Sequence, residues 1–271
     1  MRITVSIVLY HNDLSEVGDA LRSCLSSTLV ERVYLIDNSS NDTLRCLAKD
    51  ERVRYLHYPE NLGFGAAHNR AIQSCSDSDY HVMVNPDIAF PEGVLEALAT
   101  FMDQHPDVGS VMPKVFYKDG KLQRLCKLLP GPFNLFGRRF ASNWAWARKL
   151  NEQYELAFFD YSQIADIPCL SGCFMFTRNN ILQQLNGFDT RFFLYLEDVD
   201  LIRRIGRLAR TVYYPHVSIT HGYQKESYHN RKILRLHMKS AIQYFNKWGW
   251  FFDRDREKIN QNTLKKLMRK N

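Results

Sequence analysis

The sequence has no CxxC pair, and none of its six cysteines (Cys24, Cys46, Cys75, Cys126, Cys169, Cys173) has a second Cys or His pair at zinc spacing. That excludes zinc ribbons and fingers and argues against a disulfide framework. The cysteines read as reduced, mostly buried thiols of a cytoplasmic protein. No run approaches the roughly 18–20 apolar residues of a membrane span. The opening MRITVSIVLYHND lacks a long apolar region and a small-residue cleavage site, so it reads as a strand and not as a signal peptide. A soluble protein, or one peripheral to a membrane, is expected. There is no GxGxxG after the first strand and no GxxxxGKS/T anywhere, which argues against a dinucleotide Rossmann site and a P-loop. Internal repeats and low-complexity segments are also missing.

What is present is ordinary in amount and uneven in distribution. The 271 residues are 45% hydrophobic and 24% charged, values of a folded globular chain. The formal net charge is +7. Residues 1–224 hold 23 Lys+Arg against 25 Asp+Glu, whereas residues 225–271 hold 13 against 4. A near-neutral body therefore carries a basic tail. Charge spread over the whole chain would have pointed to nucleic acid.

Strand and helix patterns alternate through the first ~110 residues, at the spacing of successive βαβ units. Strands are predicted over Ile3–Tyr10, Arg32–Ile36, Val53–Tyr58, Tyr80–Val84 and Gly109–Pro113. Helices are predicted over Leu14–Leu25, Phe64–Cys75 and Glu92–Gln104. This is an α/β fold with a mostly parallel sheet flanked by helices. Residues 114–165 have weak periodicity and read as a mobile region over the site. Further on, Cys169–Thr177 is strand-like, Glu197–Leu208 helical, and Thr211–Tyr214 and Val217–Thr220 two short strands. From Ser227 the chain looks helical and basic.

In an open α/β sheet, ligands bind beyond the carboxyl ends of the strands. Those ends are polar here: Tyr10-His11-Asn12, DNSSND, PENLGFGAAHNRA and NPD. Asp37 can cap an Asx turn, or it can accept the imino N–H of uracil or thymine. In the loop from Asn61, Gly63 and Gly65 permit close backbone approach, and Asn69 and Arg70 can reach a nucleotide or its phosphates. In Asn85-Pro86-Asp87, Asp87 is either part of a common turn or a ligand for a divalent cation that also binds a diphosphate. Glu197 and Asp198 follow the apolar run Phe192–Leu196. Acidic residues suit a helix N-terminus on dipole grounds alone, but partial desolvation also raises their pKa and favours a base. His221 follows a short strand, where it is either structural or a metal ligand.

Together these segments resemble the family 2 glycosyltransferases of the GT-A fold, closest to the bacterial rhamnosyltransferases of O-antigen and capsule polysaccharide synthesis. The resemblance rests on SIVLYHN, VYLIDNSSND, NLGFGAAHNRAI, VNPDI, SGCFMFTR, GFDTRFFLYLEDVDLIRR and YFNKWGWFFDR, and covers nearly the whole chain. It implies a GT-A domain over 1–222 and a basic aromatic helical extension over 223–271. It implies a nucleotide-sugar site with Asp37 on the pyrimidine base and Tyr10 lining the same pocket. NPD matches the DXD motif, with Asn85 in place of its first carboxylate and Asp87 as the ligand of Mg2+ or Mn2+. His221 completes the metal site. Glu197-Asp198 matches the ED motif, whose Asp is the catalytic base. The implied reaction is inverting transfer of a sugar, L-rhamnose from dTDP-rhamnose, to a hydroxyl of a glycan or lipid-linked saccharide. No residue distinguishes that donor from UDP-glucose, UDP-galactose or UDP-GlcNAc. Region 114–165 and Phe188–Tyr195 are expected to select the acceptor.

Two other classes remain to be weighed. A nucleotidyltransferase would carry a Gly-rich basic loop after the first strand, where this chain has Tyr10-His11-Asn12-Asp13. A nucleic-acid-binding protein would use the basic tail with Trp248, Trp250 and Phe251, but it leaves the acidic loops unexplained. No nucleic-acid partner is expected. The tail instead suits the anionic cytoplasmic face of the inner membrane, or else a solvated helical face with its aromatics packed inward.

Overall fold

A computed structural model describes residues 1–75, 77–137, 144–222 and 231–269. The β-branched run after Arg2 forms β1 (Ile3–Leu9), buried at every position. Asp13 then caps α1 (Leu14–Leu25) by accepting the Ser15 N–H. β2 (Val30–Asp37) and β3 (Val53–His57) add in parallel on one side of β1. After α2 (Phe64–Ile72) the chain crosses over, and β4 (Tyr80–Val84) pairs in parallel on the other side of β1. The connections thus leave β1 in opposite directions. That reversal opens a crevice beyond the carboxyl ends of β1 and β4, where such sheets take their ligands.

Beyond β4 come β5 (Ile88–Ala89), α3 (Val94–Gln104), β6 (Val108–Tyr117), a short π-helical turn at Phe133–Gly137, α4 (Ala145–Tyr154) and β7 (Ala165–Asp166). They are followed by β8 (Phe174–Arg178), α5 (Asn179–Gln184), α6 (Glu197–Ile205) and β9 (Arg210–His221). Two C-terminal helices, α7 (Arg231–Trp248) and α8 (Arg254–Met268), complete the described chain. The sheet runs β3-β2-β1-β4-β8-β6-β9-β5, with β7 on β9.

The sheet is parallel over β3-β2-β1-β4 and mixed beyond, because β8 runs antiparallel to both β4 and β6. Its incoming loop already lies at the crevice end, where the Cys173 carbonyl accepts the Asn85 N–H at 2.9 Å. The two short strands expected after residue 210 are one strand, β9, whose register against β6 shifts opposite Tyr214–Ser218. Pro215 has no N–H to give the ladder there.

The expectation of a mobile region over 114–165 does not hold for its described residues. Cys126, Leu128, Tyr154, Leu156, Phe159 and Tyr161 are buried in a core shared with Leu201, Ile202 and Ile205 of α6. Apart from Tyr154, the last residue of α4, they drop in singly from outside the helices, so no helical period marks them. Residues 138–143 lie outside the described residues.

The C-terminal helices are part of the same packing. Tyr244 and Phe245 of α7 are fully buried against Phe192 and Leu196, and Leu267 of α8 joins the core beneath α6. The expected boundary at 222/223 adjoins residues 223–230, outside the described set. Arg203 on α6 and Asp253, which caps α8, form an ion pair at 2.7 Å with side chains only 1% and 4% exposed. Asp253→Ala would strand that guanidinium in a dry environment. A loss of about 3–5 kcal/mol is expected, read as a fall in the denaturant midpoint.

Candidate active site

Four strand ends meet at the crevice. At the end of β2, Asp37 is fully buried. One carboxylate oxygen accepts the Ser39 N–H at 2.8 Å in an Asx turn, and the other accepts the Tyr55 hydroxyl. Burial and this bond push the Tyr55 phenol well up from its ordinary value. Tyr10, just past β1, is exposed on the same rim, and the next residue's N–H reaches Ser39 Oγ at 2.8 Å. Asn38, unremarked in the sequence, ties the rim to the next loop. Its side chain donates to the Gly63 carbonyl and accepts from the Leu62 N–H, both at 3.3 Å.

The loop before α2 is shaped by the protein itself. Asn61 has φ 53° and accepts the Gly63 N–H at 3.0 Å. Gly63 has φ 85°, and a Cβ there would lie 2.5 Å from the Phe193 carbonyl oxygen. The close backbone approach permitted by this glycine is therefore made by Phe193, which accepts the Phe64 N–H at 3.0 Å. Asn69 is likewise turned inward, its amide bonded on both sides to the Phe188 backbone at 2.8 Å. Arg70 is exposed and lies over the Tyr58 ring at 5.4 Å. Neither Asn69 nor Arg70 is brought to the acidic cluster by any contact described here.

That cluster forms where β4 ends. Asn85, Asp87 and His221 converge because β5 pairs with β9, setting Ile88 opposite His221. His221 Nε2 is 3.4 Å from Asp87 Oδ1 and 3.5 Å from Asn85 Nδ2. The Oδ1 of Asn85 is buried without a hydrogen-bond partner. A carboxylate, an imidazole and an unsatisfied amide oxygen on one turn form a donor set that fits a divalent cation. The described residues contain no group of three His, Cys, Asp or Glu side chains able to hold a metal; here the third donor is an amide.

Glu197 and Asp198 open α6. Two consecutive residues with positive φ, Tyr195 (68°) and Leu196 (65°), turn the chain into the helix. Such conformations persist where surrounding packing over-determines them. Here Leu196 is pinned by Tyr244 and Phe245, while Ser240 donates to the Leu194 carbonyl at 2.8 Å. Asp198 accepts the N–H of Gly172 and of Val199, each at 2.8 Å. Burial raises the Asp198 carboxyl above its ordinary range, with these N–H groups opposing the shift. Burial raises Glu197 further, well above the usual carboxylate range, with the neighbouring Asp198 charge adding to it. Burial and the neighbouring Asp198 thus favour the protonated form of Glu197, while two N–H groups favour the charged form of Asp198. The buried thiol of Cys173 nearby is pushed up to about 12 by desolvation, which leaves it inert as a nucleophile.

The base candidate and the cation candidate are linked by two adjacent residues. Gly172 donates to Asp198, and Cys173 accepts from Asn85. A Cβ at Gly172 would lie 2.7 Å from the Cβ of Asp198, so only glycine lets the loop pass. Gly172 was legible only as part of SGCFMFTR. Asp200, also in EDVDL, is fully buried and bonded to Arg204 Nε, Lys247 Nζ and Trp248 Nε1 at 2.7–2.8 Å.

A mixed sheet flanked by helices, with an acidic crevice at its strand reversal, is a fold of the GT-A type. The Glycosyl transferase family 2 profile matches residues 5–185, and the chain belongs to that family. The match ends before Glu197, Asp198 and His221. The chain is 28% identical over 208 residues to the N-acetylglucosaminyl-diphospho-decaprenol L-rhamnosyltransferase of Mycobacterium tuberculosis, covering 70% of this chain and 66% of that one. It therefore spans just under two thirds of that relative's length. It is 24% identical over 242 residues to the rhamnosyltransferase WbbL of Escherichia coli, covering 85% and 88%. Among solved structures, GalNAc-T7 with UDP, GalNAc and Mn2+ superposes with a TM-score of 0.68 at 13% identity, over 91% of this chain and 48% of that one. The Pyrobaculum calidifontis mannosyltransferase with GDP-Man and Mn2+ gives 0.57 at 19%, over 89% and 64%. At those identities the likeness concerns the fold.

The raised Glu197 carboxyl has a consequence for stability. A group whose folded pKa lies above its unfolded value favours the folded state below the unfolded pKa, and that contribution is lost as pH rises toward the folded pKa. Glu197→Gln should therefore melt higher than the parent protein near neutral pH. The difference should shrink as pH falls toward the ordinary glutamate value of 4.5. Thermal melts across that range test it, and a gap that widens on acidification would contradict the shift.

Proposed function

We propose that this protein is an inverting glycosyltransferase that moves a sugar, L-rhamnose from dTDP-rhamnose, onto a hydroxyl of a lipid-linked saccharide in bacterial surface polysaccharide synthesis. The observation that carries this reading is the junction at Ser171–Cys173. It brings the half-buried Asp198 carboxyl, raised by desolvation, close to the NPD turn at the switch point of the sheet. Asp37 and the NPD turn are two strand spacings apart, roughly 10 Å, with β1 between them. A nucleoside lying across β1 would put its base toward Asp37 and Tyr10 and its diphosphate toward Asp87. Asn61 and Gly63 would form the floor of that groove, with Arg70 at its rim.

Asp198 takes the proton of the acceptor hydroxyl. The freed oxygen attacks the anomeric carbon, and the bond to the diphosphate breaks on the opposite face, inverting the centre. Glu197, holding its own proton, leaves Asp198 as the base. Asp87, His221 and Asn85 would hold Mg2+ or Mn2+, which when bound offsets the charge gathered on the leaving diphosphate. Mn2+ in the GalNAc-T7 and mannosyltransferase structures supports a divalent cation here. The rhamnosyl transfer named for the mycobacterial and E. coli relatives supports the donor, and the diphospho-decaprenol in the mycobacterial name supports a lipid-linked acceptor.

A donor panel tests this. dTDP-rhamnose, UDP-glucose, UDP-galactose and UDP-GlcNAc are each incubated with the protein, with and without Mn2+. Nucleotide release is expected from dTDP-rhamnose in the presence of cation. Preference for a UDP-hexose would replace the donor, and no release from any of them would remove the reaction class. Asp198→Asn should keep donor affinity and lose at least ~100-fold in turnover. Near-normal turnover would exclude Asp198 as the base.

A lipid-linked acceptor places the enzyme at the cytoplasmic face of the inner membrane. No helix among the described residues is long and apolar enough to cross a membrane. The features that support peripheral contact are Phe251 and Phe252, 57% and 96% exposed between α7 and α8, with Phe133 of the π-helical turn 6.0 Å from Phe251. Interfacial aromatics beside basic helices suit an anionic surface. Flotation with liposomes rich in anionic lipid should capture the protein, and Phe251→Ser with Phe252→Ser should lower the bound fraction several-fold. Equal capture of both proteins would exclude this edge as the contact.

A further inference from the structure

Gln123 appears in no motif, yet it is 1% exposed and lies directly behind His221. The turn after β6, closed by Tyr117 N–H on the Lys121 carbonyl, brings the chain back so that Gln123 N–H bonds the Val115 carbonyl at 2.8 Å. Its side chain then meets His221 twice. The amide nitrogen lies 3.0 Å from the His221 backbone carbonyl and 3.5 Å from that of Phe116. The amide oxygen lies 3.0 Å from His221 Nδ1.

These contacts fix which atom of the amide is which. Backbone carbonyls only accept, so the end facing His221 O and Phe116 O must be the NH2 group. The other end is then the oxygen, which also only accepts, so Nδ1 of His221 must carry a hydrogen. In the neutral imidazole the lone pair is left on Nε2, the atom 3.4 Å from Asp87 Oδ1. A histidine that ligates through one nitrogen commonly donates from the other to a fixed acceptor.

We propose that Gln123 is a positioning residue: it holds His221 as the Nδ1–H tautomer and aims the Nε2 lone pair at the turn of Asn85 and Asp87, ready for a divalent cation. This rests on the cation site of the proposed reaction, but the tautomer is a property of the protein alone.

Two measurements separate those layers. Histidine-nitrogen NMR of the metal-free protein at about pH 8, where an ordinary imidazole is neutral, reads the tautomer directly. His221 should be protonated on Nδ1 and bare on Nε2. The Nε2–H form in the unaltered protein would overturn the proposal without any variant being made. Mn2+ affinity by calorimetry then compares Gln123→Leu, which removes the acceptor, with Gln123→Glu, which keeps one. The leucine variant should bind Mn2+ about 10–100-fold more weakly, and the glutamate variant should recover much of the loss. Equal affinity in the leucine variant and the parent would overturn the proposal while leaving the transferase reading intact. A parent protein that releases nucleotide from its donor but binds neither Mn2+ nor Mg2+ would overturn the cation role of Gln123 and His221 together, and again leave the transfer reaction standing. A parent protein that binds the cation but turns over no donor would remove the transferase reading alone.

Discussion

A buried Glu197 beside a half-buried Asp198 at the start of one helix is the constraint on which most of this structure turns. Glu197 and Asp198 are each raised by burial, and removing them from water is unfavourable by itself. The N-terminus of α6 offsets part of that through its dipole and its free N–H groups. Gly172 supplies one further N–H from outside the helix. The remainder is supplied by packing: α7 covers the turn into α6 with Tyr244 and Phe245, and Ser240 holds its last carbonyls. The backbone strain at Tyr195 and Leu196 is tolerable only under that cover.

The helix itself is anchored from below the acids. Asp200, in the same first turn, is fully buried among Arg204, Lys247 and Trp248. Lys247 also bridges to Asp189 at 2.7 Å, in the loop that leads to the acidic pair. Arg203 is sandwiched between Asp253 and the Trp248 ring, whose centroid is 4.0 Å away. The contacts of Asp200 with Lys247 and Trp248, and of Arg203 with Trp248 and Asp253, join α6 to the C-terminal segment. The start of α6, and Asp198 with it, is therefore held by residues nearly fifty positions further along the chain.

This explains which parts of the protein could be read in its sequence. β1, α1 and β4 are local in origin: an apolar β-branched run, an amphipathic twelve-residue stretch after an Asp cap, and a short apolar run ending in NPD. Each announces itself within one window. Asp87, Asp198 and His221 each had an ordinary structural reading as well, a turn, a helix N-terminus and a lone histidine, and only their order along the chain singled them out as candidates. Gln123 and Asn38 were not legible, since a glutamine or asparagine signals nothing until its partners are known, and those partners are 98 and about 25 residues away. Gly63 was legible as a site of close approach, but what approaches it is Phe193, distant in sequence. The antiparallel β8 was hidden for the same reason, its direction being set by where its loop begins.

The basic tail changes meaning under the same logic. Much of its charge has a partner inside the molecule: Lys247 with Asp189 and Asp200, Lys266 with Asp166, and Arg256 close to Asp253. Those residues balance an acidic body and fasten α7 and α8 to it. Arg231, Arg235 and Lys239 lie exposed on the first turns of α7, just after His221 in sequence. A net charge counted along the chain cannot distinguish these two sets, although they answer to different physics. The part-buried Lys247 pairs are screened little, while exposed arginines and lysines, Lys266 among them, act over about a Debye length and so weaken as salt rises. Only the exposed set can address a charged surface, and it lies on the helix that also steadies the base. A lipid-linked acceptor drawn to that helix would be delivered to the end of the molecule where Asp198 is held.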